Sequence, residues 1–172
     1  MGVAPEGMTP FHFVSHSEVE TIFMGTHIGA VLYPGLAVLL EGELGTGKTT
    51  LVRGMAESLG ISGVRSPSFT IINEYEGRER VAHVDLFRLS SDEVEMLGLE
   101  EYLDGGYILL VEWPAPALKE RLSEYWSVTI EFLPQEGECA RRISIYACGE
   151  RACEALRNAC ERLCKVTKRQ WR

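Results

Sequence analysis

The sequence predicts an α/β three-layer sandwich on a mixed, mainly parallel central sheet with antiparallel strands at its edges. Three observations carry that expectation. Two short apolar runs, Leu36-Ala-Val-Leu-Leu-Glu41 and Tyr107-Ile-Leu-Leu-Val-Glu-Trp113, each reach an acid, the pattern of strands buried on both faces. Segments of helical period alternate with them. Two pairs of alternating segments flank turn residues, as hairpins do.

In chain order, Val19, Ile22, Phe23, Ile28, Val31 and Leu32 keep helical spacing, and Ser15 with Glu18 has the form of a capping box. A first helix is expected over 17–33, stopped by Pro34-Gly35. The first apolar strand, 36–41, enters a glycine-rich turn, and 49–59 reads as a helix closed by Gly60. Residues 69–75 and 80–86 flank Glu76-Gly77-Arg78 as a hairpin. Ser90 and Glu93 form a second capping box, predicting a short helix over 92–97. Asp104-Gly105-Gly106 introduces the second apolar strand, which Pro114 and Pro116 break. Residues 118–122 make one or two helical turns, and 127–133 and 142–147 are hairpin strands around 134–140. Ala152, Leu156, Ala159, Leu163 and Val166 recur at alternating steps of four and three, an amphipathic helix.

At 172 residues, 45% hydrophobic and 24% charged, the chain has the makeup of one ordinary folded domain. Its net charge of −8 divides into −13 over 1–150 and +5 over 151–172. So acidic a body excludes nucleic-acid binding through bulk electrostatics. No run approaches the roughly 20 apolar residues of a membrane span, and the first residues lack the basic and apolar regions of a secretory signal. A cytoplasmic protein is expected. Five cysteines, none before Cys139, form no disulfide framework. They contain no C-x-x-C pair, and Cys153, Cys160 and Cys164 fit the apolar stripe of the last helix, so they read as small buried residues rather than zinc ligands.

The strongest chemical signal is Gly42-Glu-Leu-Gly-Thr-Gly-Lys48-Thr49, a complete G-x-x-x-x-G-K-[ST] phosphate loop between a buried strand and a helix. Gly42, Gly45 and Gly47 let the main chain wrap phosphate oxygens without a side chain in the way. Backbone N–H groups of Leu44, Gly45, Thr46, Gly47, Lys48 and Thr49 then face the phosphates with the positive end of the following helix. Lys48 brings a point charge to the β- and γ-phosphates, and the Thr49 hydroxyl is placed for Mg²⁺. Hydrolysis needs a further acid, and Asp85 and Glu112, each at the end of an apolar strand, are the candidates. His83 reads as a structural imidazole in an apolar strand, and His12, His16 and His27 as surface or packing residues. Arg88 is an arginine finger in cis or, in the preferred reading, the partner of a nearby carboxylate. Arg141 and Arg142, where a strand begins, are either solvated or in reach of phosphate.

The phosphate loop through Thr50, with Arg53-Gly54, Ser66-Pro-Ser-Phe-Thr70, Asn73-Glu-Tyr75, His83-Val-Asp-Leu-Phe-Arg88, Leu97-Gly-Leu99 and Val111-Glu-Trp-Pro114, resembles in order the motifs of the TsaE (YjeE) family. That family is the bacterial ATPase of tRNA threonylcarbamoyladenosine (t6A) biosynthesis. The resemblance covers roughly 15–147 and implies a P-loop NTPase-type fold. It implies that ATP or ADP is bound by Gly42, Leu44, Gly45, Thr46, Gly47, Lys48, Thr49 and Thr50. Thr49 and Glu112 would be Mg²⁺ ligands, and Asp85 the second acid, acting on water or on the metal's hydration shell. Trp113 would report on nucleotide state, and 66–70 would form a switch-like loop. The family usually has Thr where Ser68 stands, a change that keeps the hydroxyl. Glu18 and the hairpin tip near Glu138 fall where family members approach the nucleotide base, although these regions match weakly.

A P-loop ATPase domain over 1–149 is expected from the resemblance, and a basic amphipathic helix or tail over 150–172, outside the resemblance, from charge and apolar spacing. Lys48, Asp85 and Glu112 would carry slow, Mg²⁺-dependent hydrolysis that cycles the partner proteins TsaB and TsaD, with tRNA met mainly through that complex. The alternative is a small-molecule kinase, but no arginine-rich lid appears between Arg53 and Arg121. A GTPase-like module would need an Asn/Thr-Lys-x-Asp motif, which is absent. Lys165, Lys168, Arg169 and Arg172 are solvated charges on a packing helix or, in a sharper reading, contacts to tRNA or an acidic partner. Oligomeric state is left open.

Overall fold

A computed structural model describes residues 10–170, with side chains through Lys165. The expectations placed on Val166, Lys168, Arg169 and Arg172 concern side chains outside the described residues.

The chain runs β1 (Phe11–Ser15), α1 (Glu18–Gly29), β2 (Ala37–Glu41), α2 (Lys48–Ser58), β3 (Ile72–Glu76) and β4 (Arg80–Asp85). It continues through α3 (Ser91–Met96), α4 (Leu99–Asp104), β5 (Tyr107–Glu112), α5 (Pro116–Arg121), β6 (Tyr125–Phe132), β7 (Arg141–Cys148) and α6 (Glu150–Gln170). Among the described residues one seven-stranded sheet forms, in the order β1-β7-β6-β2-β5-β4-β3. Its centre, β6-β2-β5-β4, is parallel. The antiparallel β7 and β1 extend one edge and β3 the other.

Strand alternation divides the apolar runs between two layers. Val38, Leu40, Ile108 and Leu110 join Trp126, Val128 and Ile130 beneath α1, α2 and α6. Ala37, Leu39, Leu109 and Val111 face Val94 of α3, Leu99 of α4 and Leu118 of α5. Full burial of each such Leu, Ile or Val contributes roughly 1.5–3 kcal/mol, so the strand ends project from a rigid frame. The sandwich expected from the sequence is the one observed.

Several local expectations are corrected. The first helix is capped by Ser17, whose Oγ accepts the Glu20 N–H at 3.1 Å, rather than by Ser15. Ser15 instead ends β1, buried, with its hydroxyl 2.7 Å from Thr21 Oγ1. The helix also stops at Gly29, because Val31 and Leu32 tighten into bonds three residues back, to Ile28 and Gly29, before Pro34. Strand β1 and helix α4 were not anticipated: β1 pairs in register with β7 far along the chain, and α4 is six residues long with Leu99 its one buried side chain.

Helix α6 packs on the same core through Ala152, Ala155, Leu156, Ala159 and Leu163, and its start is pinned where Trp126 Nε1 donates to Ala152 O at 2.9 Å. Cys153 and Cys160 lie at the edge of that cluster, and burial pushes the Cys160 thiol up to about 11. Cys164 departs from its expected place and is exposed, as it lies about 100° around the helix from Leu163. No helix among the described residues is long and apolar enough to cross a membrane.

Helices α1 and α2 meet through glycines. A Cβ on Gly25 would lie 2.7 Å from Leu51 O, and one on Gly54 would collide with Ile22 O. Both obstacles are backbone and have no rotamer by which to yield. In Gly54→Ala, the ~1 kcal/mol of helix propensity gained is therefore expected to lose to overpacking. The net cost is about 1–3 kcal/mol, read in a thermal melt as a Tm fall of about 2–4 °C per kcal/mol.

Candidate functional site

Strand β2 delivers the chain into 42–47, and α2 starts at Lys48. Gly42 has φ +146°, and a Cβ there would collide with Ile130 O, so the first turn of the loop is closed to any other residue. Gly47, at φ +104°, caps α2 without a side chain, leaving the first helical N–H groups facing the loop's hollow. Thr46 is buried, and its Oγ1 donates to Glu43 O at 2.9 Å, which pins the loop from within. Leu44, by contrast, is 78% exposed at the crest.

Lys48 is buried, with Nζ donating to Gly42 O at 2.7 Å and Glu43 O at 2.9 Å. Nζ also lies 3.9 Å from the centroid of the Trp113 ring. Burial lowers the Lys48 pKa, and the carboxylates of Glu112 and Asp85 oppose that shift. The ammonium is thus held by loop carbonyls and lies in the field of two acids from neighbouring strands.

Those acids stand side by side because β4 and β5 are parallel with Asp85 opposite Glu112. Thr49 Oγ1 donates to Glu112 Oε1 at 2.7 Å, and His83 Nε2 lies 2.9 Å from the same oxygen. Asp85 Oδ2 accepts from Ser68 Oγ at 2.8 Å and Ser66 Oγ at 3.4 Å, while Oδ1 accepts the Phe87 N–H at 3.0 Å. Glu112 is thereby tied to the phosphate loop, and Asp85 to the loop over 66–70. A hydroxyl and a carboxylate are hard oxygen donors of the kind Mg²⁺ selects, so Thr49 and Glu112 fit such an ion.

Trp113 leaves β5 at φ +59°, an unusual angle for a bulky residue, and its ring packs 4.8 Å from Phe87. On this side a cavity of about 390 Å³ is walled by Trp113, Phe87, Asp85, Ser68 and Phe69, the last 88% exposed. Arg88 lies over the Phe69 ring at 5.0 Å, and among the described residues no carboxylate is within ion-pair range of it, contrary to expectation. A second cavity, about 260 Å³, lies on the other side of the loop between Glu18, Thr21, Thr50, Cys139 and Arg141. Glu18 there pairs with Arg53 at 3.0 Å.

The structure thus gathers 42–50, Asp85, Glu112 and Trp113 at one edge of the sheet, with Glu18 across the second cavity. Sequence reasoning missed Ser17, Thr21 and Cys139, and it left Arg141 undecided. These meet from α1, its cap and the β6–β7 hairpin, and no local pattern encodes that meeting. His83 was read as structural; its spacing from Asp85 on one strand face was the available clue. His12 bonds Ser144 and His27 stacks on Phe23, and no metal-ligand cluster occurs among the described residues.

Fold and loop together define a protein of the phosphate-loop class. The family model described as threonylcarbamoyl adenosine biosynthesis protein TsaE matches residues 15–143. The chain belongs to the TsaE family. It is 42% identical over 143 residues to the tRNA threonylcarbamoyladenosine biosynthesis protein TsaE of Bacillus subtilis, covering 80% of this chain and 87% of that one. The protein of the same name from Nostoc sp. is 40% identical over 135 residues, 75% of this chain and 82% of its own. The crystal structure of Bacillus subtilis YdiB matches with a TM-score of 0.76 at 31% identity, over 91% of this chain and 98% of that one. Helix α6 lies beyond the residues the family model matches.

Proposed function

We propose that this chain binds ATP with Mg²⁺ and hydrolyses it as a cytoplasmic component of tRNA t6A biosynthesis, cycling a TsaB–TsaD complex between turnovers. The observation that carries the reading is the convergence of Lys48, Thr49, Glu112 and Asp85 on the hollow of the phosphate loop, with Thr49 bonded to Glu112 at 2.7 Å. Family membership and the names of the relatives supply the pathway.

Each residue has a task. Backbone N–H groups of 44–49 and the N-terminus of α2 bind the phosphates, and Lys48 exchanges loop carbonyls for phosphate oxygens. Thr49 and Glu112 would hold Mg²⁺, which when bound would supply positive charge against the phosphates. Asp85 accepts a proton from, or orients, the attacking water. The Glu18 cavity, lined by Thr50 and Arg141, takes the nucleoside side, and the Trp113 cavity faces the γ-phosphate side.

The test is t6A formation reconstituted with TsaB, TsaD, tRNA and threonylcarbamoyl-adenylate. With the chain and hydrolysable ATP, product is expected to exceed the amount of TsaD many times over; without the chain, or with a non-hydrolysable analogue, formation is expected to stop near one equivalent. Multiple turnover in its absence would overturn the cycling role.

A further inference from the structure

His83 is fully buried on β4, two residues before Asp85 on the same strand face. Its Nε2 lies 2.9 Å from Glu112 Oε1, and its Nδ1 is a buried atom with no hydrogen-bond partner among the described residues. A carboxylate only accepts, so the bond places a proton on Nε2. The one polar contact of this imidazole is therefore the carboxylate that also receives the Thr49 hydroxyl.

We propose that His83 is a positioning residue that holds the Glu112 carboxylate in the orientation needed to bind Mg²⁺; the inference rests on the reading of Thr49 and Glu112 as the pair that holds the ion. The two donors to Oε1 differ in stiffness. A threonine hydroxyl rotates freely about its Cβ–O bond, whereas the His83 ring is set by a strand paired on both sides, with β5 and with β3. Both bonds fall on Oε1, and no hydrogen bond from the described residues engages Oε2. Oε1 is thereby fixed and Oε2 is the oxygen left for the metal or its water. Packing alone does not account for a histidine here, since an aliphatic side chain would fill the space without burying an Nδ1 that has no partner among the described residues.

The test compares His83→Leu, which keeps volume without a donor, with His83→Gln, whose amide N–H₂ reaches about as far as Nε2. ATP affinity is measured calorimetrically on the full chain in EDTA and in Mg²⁺. The Mg²⁺-dependent gain in affinity is expected to fall about 10- to 100-fold in His83→Leu, with affinity in EDTA unchanged, and to recover in His83→Gln. An undiminished gain in His83→Leu, or an equal loss with and without Mg²⁺, would overturn the proposal. Wild type showing no gain from Mg²⁺ would instead overturn the Mg²⁺ reading itself. Should the variants not fold, ¹⁵N spectra of wild type decide: the Nε2–H form is expected, and an Nδ1–H form refutes the bond.

Discussion

Lys48→Ala is expected to lower ATP hydrolysis on the order of 10²–10³-fold, the loss typical of removing one preorganised charge-stabilising donor. The side chain is buried, bonded to two loop carbonyls and within reach of two carboxylates. Its charge is therefore fixed where the transferred phosphoryl group gathers negative charge, in surroundings drier than water. Lys48→Arg is not expected to rescue it, because a planar guanidinium does not fit a pocket that holds a compact ammonium between Gly42 O, Glu43 O and the Trp113 face. The Tm of Lys48→Ala should move little, since losing a desolvated cation offsets losing the donors to the two carbonyls. Steady-state phosphate release and the reconstituted t6A assay are the measurements. Full multiple-turnover activity in Lys48→Ala would end the ATPase reading.

How much of this was legible in the sequence follows from the range of each interaction. The phosphate loop is written in eight consecutive residues, and the conformations of Gly42 and Gly47 follow from local sterics. The strand-end acids were also legible, because an apolar run ending in Asp or Glu carries its own burial and polarity pattern. That Asp85 and Glu112 stand side by side was implied by parallel topology and is now a register. The contacts between elements were hidden. The approach of His83 to Glu112 depends on the pairing of β4 with β5, and Arg141 reaches the Glu18 cavity only through the pairing of β6 with β7 and β7 with β1. The left-handed angles of Ile71 and Trp113 leave no trace in composition, since neither residue favours them.

Both angles stand beside the strand-end acids. Ile71, at φ +68°, follows the loop over 66–70 and accepts the Asp85 N–H at 3.0 Å, while Trp113 follows Glu112 directly. The backbone is strained where the acids emerge, and such strain persists only where the surrounding structure fixes the loop. Ser66 and Ser68 on Asp85 Oδ2 are the contacts through which the site would do so.

Asp85→Asn separates the two roles this carboxylate could have. If Asp85 acts on water or on the metal's shell, the variant is expected to lose about 10²–10⁴-fold in single-turnover phosphate release. The double change Ser66→Ala with Ser68→Ala should lose at least about tenfold less, because it removes the loop's hydroxyls and leaves the carboxylate and its charge in place. The Phe87 N–H bond to Oδ1 survives in the double variant, so the carboxylate keeps its placement on β4 while the loop is released. Asn keeps one acceptor oxygen for the Phe87 N–H and turns an amide N–H₂ donor toward the serine hydroxyls, but it lacks the negative charge that acts on Lys48. Equal losses in the two proteins would therefore assign Asp85 to latching the loop and leave the water to Glu112. A greater loss in Asp85→Asn assigns the water to Asp85, with Glu112, bonded to Thr49 and His83, committed to the metal.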